Sequence, residues 1–286
     1  MLYNCVAMIT SLAKTIIGGK YYLNYLWNDK YIGQRIALGK YEPYLTKLIL
    51  RQASTKGGQA GCVVDVGANI GYYSVLLAEK LKTVYAYEPE KVNFEILEKN
   101  IRDNKFKNVE AKRLAVGSKN AEIKLVKSKE NYGDHRVFNY ELRIKNYELI
   151  KEETKIIRLD DEIKEKVDLI KIDTQGWEPE VILGAKKIIE KDKPVIFLEY
   201  WPWAYKKARL DDKEMIGFLR KVYGKIYFID EYVQTYFLVS DDYLEKYCVG
   251  DKACSLMVSS EVNYWNQIKD VNLKKLIKGV IKSADD

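Results

Sequence analysis

The sequence predicts an α/β fold, a mostly parallel doubly wound sheet with an antiparallel last strand, and three observations predict it. Residues 62–66 are a short apolar run broken by one aspartate; glycines 67 and 71 follow, and then Tyr73, Leu77 and Leu81 recur at helical spacing. That is strand, glycine turn and helix, the unit that opens such a sheet and presents the free N–H groups of a helix start to a ligand. Comparable apolar runs at 83–87, 167–172 and 195–200 alternate with helical patterns. Finally, 286 residues suffice to bury one substantial α/β core, so a single domain with elaborations is expected rather than two.

Taken in order, residues 1–17 are rich in apolar side chains, but Asn4, Thr10, Ser11, Lys14 and Thr15 interrupt them before a membrane-spanning length is reached. An amphipathic helix packed on the domain is expected, with a peripheral membrane anchor or an oligomer contact as alternatives. No positive leading region and no small-residue cleavage site marks a secretory signal. Residues 18–39 are aromatic and β-rich with a turn at Asn28 and Asp29, a hairpin pattern. Pro43 opens a helix that carries Leu45, Leu48 and Ile49 inward, and the glycine-rich stretch 54–61 is a loop. Residues 1–60 thus form a cap before a sheet domain at 61–260.

Within that domain, Pro89 starts a helix with Val92, Ile96, Leu97 and Ile101 inward. Residues 109–116 are a third strand, and 121–126 a fourth expected to pair with it antiparallel across the turn chemistry of 117–120. The polar stretch 128–153 is a loop, and a short strand near Ile156 precedes the buried strand at 167–173. Pro179 begins a crossover helix through Val181, Ile182, Ala185, Ile188 and Ile189, followed by the strand 195–200. A helix at 213–223, a strand at 225–229 and a last strand at 254–258 complete the domain. The tail, 261–286, sets Val271, Leu273, Leu276, Ile277, Val280 and Ile281 against five lysines, a basic amphipathic helix for the protein body or a lipid surface.

What the glycine turn lacks selects its ligand. A dinucleotide turn needs a second glycine where the backbone approaches a pyrophosphate, but Asn69 stands there, and Tyr72 replaces the third. Asp65, just before the turn, repels phosphate and suits a cationic amine. Glu88 ends the next strand about twenty residues beyond Gly67, where such folds bind ribose hydroxyls. An adenosyl ligand with an ammonium and no diphosphate satisfies both. The strand ends carry Asp65, Glu88, Asp173 and Glu199, more carboxylates than a core tolerates without partners. Asp65 and Glu88 are expected to hold this ligand, with Asp173 and Glu199 nearer a second one.

The chain resembles the class I Rossmann-like S-adenosylmethionine-dependent methyltransferases, and within them the FkbM family. The likeness is carried by 64–74 (Val-Asp-Val-Gly-Ala-Asn-Ile-Gly-Tyr-Tyr-Ser), by Tyr87, Glu88 and Pro89, and by 168–178 (Asp-Leu-Ile-Lys-Ile-Asp-Thr-Gln-Gly-Trp-Glu), and it extends over residues 31–260. It implies S-adenosyl-L-methionine as cofactor, held by Asp65, Gly67, Asn69, Gly71, Glu88 and Asp173, with Ala115 and Val116 beside the adenine. It implies O-methylation of a sugar, glycan or other small-molecule hydroxyl. Such a transfer needs donor and acceptor at near-attack distance and a group that takes the hydroxyl proton. Gln175 stands where many relatives have glutamate, which leaves Asp173, Glu178, Glu199 and His135 as candidates for that proton. A carboxylate pair holding a divalent cation is an alternative, although no metal ligand set is assigned. Glu42, in a similar tyrosine-glutamate-proline stretch, is expected at the cofactor pocket; a carboxylate favoured by the helix dipole is the competing reading. Asn131 and Arg136 resemble a loop overhanging the site, and Trp201 and Trp203 form an aromatic cluster suited to a sugar face.

The remaining composition narrows the class. The net charge of +7 comes from scattered lysines without a basic block interleaved with aromatics, so no nucleic-acid partner is expected. The four cysteines form no C-x-x-C pair and there is one histidine, which excludes zinc-ribbon, redox-motif and multi-histidine metal sites and suits a reducing, cytoplasmic setting. No G-x-S-x-G elbow or P-loop is present. Nucleic-acid methylation, or a cofactor-binding scaffold associated with membrane through the terminal segments, are the rival readings, and a homodimer stays open. The sequence contains 23 tyrosines, an excess that its pattern alone does not explain.

Overall fold

The computed structural model describes residues 12–56, 61–128, 136–137 and 147–260. The described residues begin with an antiparallel hairpin of β1 (Leu12–Ile17) and β2 (Tyr21–Leu26), Leu12 opposite Leu26. This corrects two expectations. The segment before residue 18 enters a strand at Leu12 rather than continuing as a helix, and the hairpin turns at Gly18 and Gly19, both with positive φ (59° and 70°), not at Asn28 and Asp29. Asp29 does something else: its carboxylate accepts from the N–H groups of Tyr31, Ile32 and Gly33 at 3.1, 3.1 and 2.9 Å. The chain therefore coils into α1 (Gly33–Ala37) instead of a second strand. α2 (Pro43–Lys56) starts at the expected proline.

The central unit follows as β3 (Cys62–Val66), α3 (Tyr72–Ala78), β4 (Thr83–Tyr87), α4 (Lys91–Asp103) and β5 (Val109–Lys112). Next come β6 (Ala115–Val116), β7 (Ala121–Ser128), β8 (Arg136–Val137), β9 (Tyr147–Ile157), α5 (Leu159–Glu162) and β10 (Leu169–Ile172). The chain continues as α6 (Glu178–Gly184), α7 (Lys186–Asp192), β11 (Val195–Tyr200), α8 (Pro202–Ala208), α9 (Asp212–Tyr223), β12 (Ile226–Asp230), β13 (Thr235–Leu238), α10 (Asp241–Tyr247) and β14 (Cys254–Val258). Among the described residues the main sheet has eight strands in the order β13-β12-β14-β11-β10-β3-β4-β5. Strands β5, β4, β3, β10 and β11 are parallel, and β14 lies antiparallel between β11 and β12, the antiparallel last strand that the sequence predicts. The strand order reverses between β3 and β10, and open α/β sheets take ligands in the crevice at that point. Both faces are covered: β3, β10 and β11 are apolar almost throughout, as strands buried on two sides must be.

A second, four-stranded sheet corrects the pairing expected for residues 109–126. The third strand is split at Leu114, whose N–H donates to Lys112 O at 2.9 Å, so β6 leaves the main sheet. It pairs parallel with β9 (Ala115 with Ile156), and β7 pairs antiparallel with β9 rather than with β6. The end of the stretch expected as a loop, residues 147–153, thus belongs to the long strand β9, set by distant partners that local pattern does not reveal. The crossover helix is also broken in two, at Ala185 (φ −115°, ψ 10°). The break follows a close approach, because a Cβ at Gly184 would lie 2.0 Å from Gly117 O. Among the described residues no helix is long and apolar enough to cross a membrane. The tail at 261–286 lies outside the described residues.

Gly184 sets how closely α6 packs on the turn after β6. Gly184→Ala should destabilise the fold by about 1–3 kcal/mol, the usual cost of overpacking, read as a lower urea midpoint. A midpoint equal to wild type would show that this approach carries no constraint.

Candidate active site

The glycine turn is built by three residues in the left-handed region, Gly67 (φ 73°), Asn69 (φ 51°) and Gly71 (φ 89°). The N–H groups of Gly67 and Ala68 both donate to Tyr87 O at 3.0 Å, which ties the turn to the end of β4. A Cβ on Gly67 would stand 1.8 Å from Asp173 O, so only glycine lets the ends of β3 and β10 meet. Gly71 sits further back, at the start of α3, where a Cβ would lie 2.5 Å from Leu97. Glu88, one residue beyond β4, accepts from Asn69 N on Oε2 and from Glu90 N on Oε1, each at 2.9 Å. Each oxygen keeps a further lone pair for another donor. Burial pushes the Glu88 carboxyl up to about 8.

In front of this turn lies a cavity of about 300 Å³. One end is walled by Gly67, Ala68, Asn69, Glu88, Ala115 and Val116, and the other by Glu42, Lys171, Asp173 and Glu199. Four carboxyl groups, Glu42, Glu88, Asp173 and Glu199, share it with two cations, Lys171 and Arg35. Five tyrosines also line it, Tyr31, Tyr41, Tyr72, Tyr73 and Tyr87, which accounts for part of the tyrosine excess. Tyr41, Tyr72 and Tyr73 pack edge to face in succession, with ring centroids 5.4 and 5.1 Å apart.

Asp65 does not open into this cavity, which corrects its expected contact with a ligand amine. It is fully buried beneath the turn, where Oδ2 accepts from Ser74 Oγ at 2.7 Å and Oδ1 lies 3.5 Å from Lys171 Nζ. The amine that Asp65 faces is the chain's own, that of Lys171. Its ammonium donates to Gly67 O at 2.9 Å, lies 3.8 Å from Asp173 Oδ2 and faces the Tyr73 ring at 5.4 Å. The sequence did carry a signal for it: Lys171 interrupts the fully buried run Leu169–Ile172, and a buried lysine demands carboxylate partners.

Beyond β10, Gln175 takes φ 54° and its Nε2 donates to Asp173 Oδ1 at 2.7 Å and to Glu199 Oε2 at 3.1 Å. The amide bridges two carboxylates that would otherwise repel. Burial and the neighbouring Asp173 hold the Glu199 carboxyl well above the usual range. Glu178 is turned away from the cavity and fully buried, accepting from Thr174 N at 2.7 Å, Thr174 Oγ1 at 2.9 Å and Gly176 N at 3.1 Å. It shapes the loop, which corrects its expectation as a proton acceptor. Asp173, Glu178 and Glu199 offer oxygen atoms within 4.8 Å of one another, and the amide of Gln175 and the N–H groups of Thr174 and Gly176 donate to the same three carboxyl groups.

Glu42 lines the cavity with φ 42°, and its Oε2 accepts from Tyr73 Oη at 2.6 Å. The competing reading, a carboxylate at the start of α2, is filled from elsewhere: Glu231 accepts from Tyr44 N at 3.0 Å and from Leu45 N. Burial raises the Glu42 carboxyl to about 7, with repulsion from Asp173 adding to it. Trp201 and Trp203 are not in the cavity wall. They are half-buried and stack on each other at 5.7 Å, Trp201 packs against the core, and its Nε1 donates to Asp251 O at 2.9 Å. Arg136 lies in β8 opposite Val126, and Asn131 and His135 fall outside the described residues. The indole of Trp177, missed in the sequence, lines the cavity with its Nε1 buried and without a hydrogen-bond partner.

A doubly wound sheet whose glycine turn and acidic strand end face one cavity defines a Rossmann-like methyltransferase. Residues 65–227 match the family described as Methyltransferase FkbM domain, and the chain belongs to that family, with S-adenosylmethionine as its cofactor. Solved structures similar to it include the methyltransferase FkbM from Methylobacillus flagellatus KT, at 16% identity and a TM-score of 0.44 over 69% of this chain and 43% of that one. The chain therefore spans less than half of that protein's length. An rRNA methylase from Streptococcus thermophilus is similar at 12% identity and a TM-score of 0.41, over 80% of this chain and 97% of that chain. The M. jannaschii tRNA m1G37 methyltransferase is similar at 16% identity and a TM-score of 0.43, over 88% and 58%. No curated protein matches the sequence.

The Glu88 carboxyl carries a pH signature. Folded, it keeps its proton to about pH 8, whereas in the unfolded chain it loses it near the ordinary glutamate value. Between those values the folded state binds more protons, so this group's contribution to stability falls as pH rises. Glu88→Gln, which mimics the protonated form, should gain urea resistance relative to wild type from pH 5 to pH 8. A constant difference across that range would show that Glu88 is ionised throughout.

Proposed function

We propose that the protein methylates a hydroxyl group on a sugar, glycan or other small molecule. The observation that carries this reading is the continuous cavity, which runs from the ribose-type carboxylate Glu88 past the glycine turn to Glu42, Asp173 and Glu199. The residues present suit the donor: the backbone of Gly67, Ala68 and Asn69 and the Glu88 carboxyl line one end of the cavity, and Asp173 lines the other. Gly67, Asn69 and Glu88 would hold the sugar and amino-acid parts, and Ala115 and Val116 the base. When bound, the donor supplies an electrophilic methyl group on a sulfonium.

The chain's own residues have then to orient the acceptor and manage a proton. Asp173 and Glu199, held apart by Gln175, face the cavity from the strand ends and can fix an acceptor hydroxyl by hydrogen bonds. Tyr31 and Tyr41 add aromatic faces of the kind that pack on sugar rings.

Calorimetry with S-adenosylhomocysteine tests the donor half. Wild type should bind it, and Glu88→Ala should lose about 1–3 kcal/mol, a roughly 5- to 150-fold weaker Kd, by leaving the groups that hydrogen-bond to the Glu88 carboxyl without a partner. Equal affinity in the variant would remove Glu88 from the donor site.

A further inference from the structure

We infer that Glu42, supplied by the segment before the central sheet, is the group that takes the proton from the acceptor hydroxyl. This rests on the methyltransferase reading above and deepens it, since three of the four residues that the sequence put forward for this step fit it less well. Glu178 is outside the cavity with its oxygens engaged by the loop. Asp173 is shared between Lys171 and the Gln175 amide, so its charge is already balanced. Burial and the neighbouring Asp173 raise the Glu199 carboxyl well above its usual range, which favours its neutral form, and its Oε2 is engaged by the Gln175 amide. His135 lies outside the described residues.

Glu42 has the converse properties. It is partly buried yet open to the cavity, and it lies next to Asp173 and Glu199. One carboxylate oxygen is fixed by Tyr73 Oη at 2.6 Å, and the other takes no hydrogen bond from the described residues. The Tyr73 phenol stays protonated because burial holds it well above its ordinary value, so it always donates. The backbone is turned into the left-handed region immediately before a proline, a place where a non-glycine residue is disfavoured and where functional sites store strain. Glu231 takes over the start of α2, which frees the Glu42 side chain from that task. In the step itself the hydroxyl proton passes to the Glu42 carboxylate while the oxygen bonds to the methyl carbon. The methyl–sulfur bond breaks, and its electron pair stays on sulfur as S-adenosylhomocysteine forms.

Several groups set the charge of Glu42. Tyr72 and Tyr73 face it from α3, Lys171 and Asp173 from the end of β10, Glu199 from β11 and Glu231 from beyond β12, beside its neighbour Tyr41. Burial and the acids raise its pKa and Lys171 and the Tyr73 hydrogen bond lower it, with a balance at about 7. A base must be ionised, so turnover should rise with pH through that value.

The test uses Glu42→Gln, Glu42→Asp and Tyr73→Phe. S-adenosylhomocysteine binding is measured by calorimetry, and transfer from methyl-tritiated donor is followed to glucose, rhamnose, glucuronate and N-acetylglucosamine. Glu42→Gln should bind S-adenosylhomocysteine within about threefold of wild type while kcat falls by about 100-fold or more. Glu42→Asp should recover part of the rate, and Tyr73→Phe should move the kcat midpoint to higher pH, because the lost hydrogen bond favoured the charged form. A Glu42→Gln rate close to wild type overturns the inference, and so does a fall in S-adenosylhomocysteine affinity that matches the fall in rate. If wild type binds S-adenosylhomocysteine but methylates none of the four sugars, the sugar reading fails, and carbon-13 NMR of labelled glutamate carboxyls decides on Glu42. A resonance that titrates near pH 7 and is missing in Glu42→Gln supports the inference; a Glu42 carboxyl already ionised at pH 5 overturns it.

Discussion

The buried ammonium of Lys171 is the interaction on which the site depends. It sits where β3 and β10 end side by side and joins three groups that the fold places there: Gly67 O, Asp65 and Asp173. Removing a lysine and two carboxylates from water is costly, and the arrangement is stable only because each charge finds a partner. Taking away the ammonium alone would leave Asp65 buried and uncompensated under the turn. The same contact explains why Asp65, on the strand that opens the fold, supports the cavity without entering it.

Around that centre the segment before the sheet acts as a wall. The hairpin is bound to α4 through Asn100, whose Nδ2 donates to Asn24 O at 3.0 Å and to Ile70 O at 2.7 Å, while its Oδ1 accepts from Asn24. One buried amide thus links the hairpin to the glycine turn. On the far side, Glu231 holds the start of α2 from the end of the β12 strand. Fixed at both ends, the stretch between α1 and α2 has little choice but to present Tyr41 and Glu42 to the cavity. The cavity is therefore walled by the central strand ends on one side and by the segment before the sheet on the other.

The local parts of this design were legible. The turn at Gly67, the carboxylate at Glu88 and the apolar strands follow from short-range pattern, because periodicity and backbone conformation are properties of neighbouring residues. Failures fall where partners are distant. The strand expected at 109–116 divides because β9 captures its second half, and the hairpin moves because Asp29 prefers three backbone N–H groups to a turn between strands. Trp201 and Trp203 were misplaced for a different reason: a proline between them starts a helix whose rotation the sequence does not specify.

The amino-acid sequence by itself determined a glycine-bent strand followed by an acid-tipped one, and with them an adenosyl-binding α/β enzyme of the FkbM family, since those features need only residues close together in the chain. Which carboxylates reach the cavity was decided by the tertiary structure alone. Asp65 is withdrawn by Lys171, 106 residues later, and Glu42 is released by Glu231, 189 residues later, because a charge answers to its nearest partner in space, not to its place in the chain.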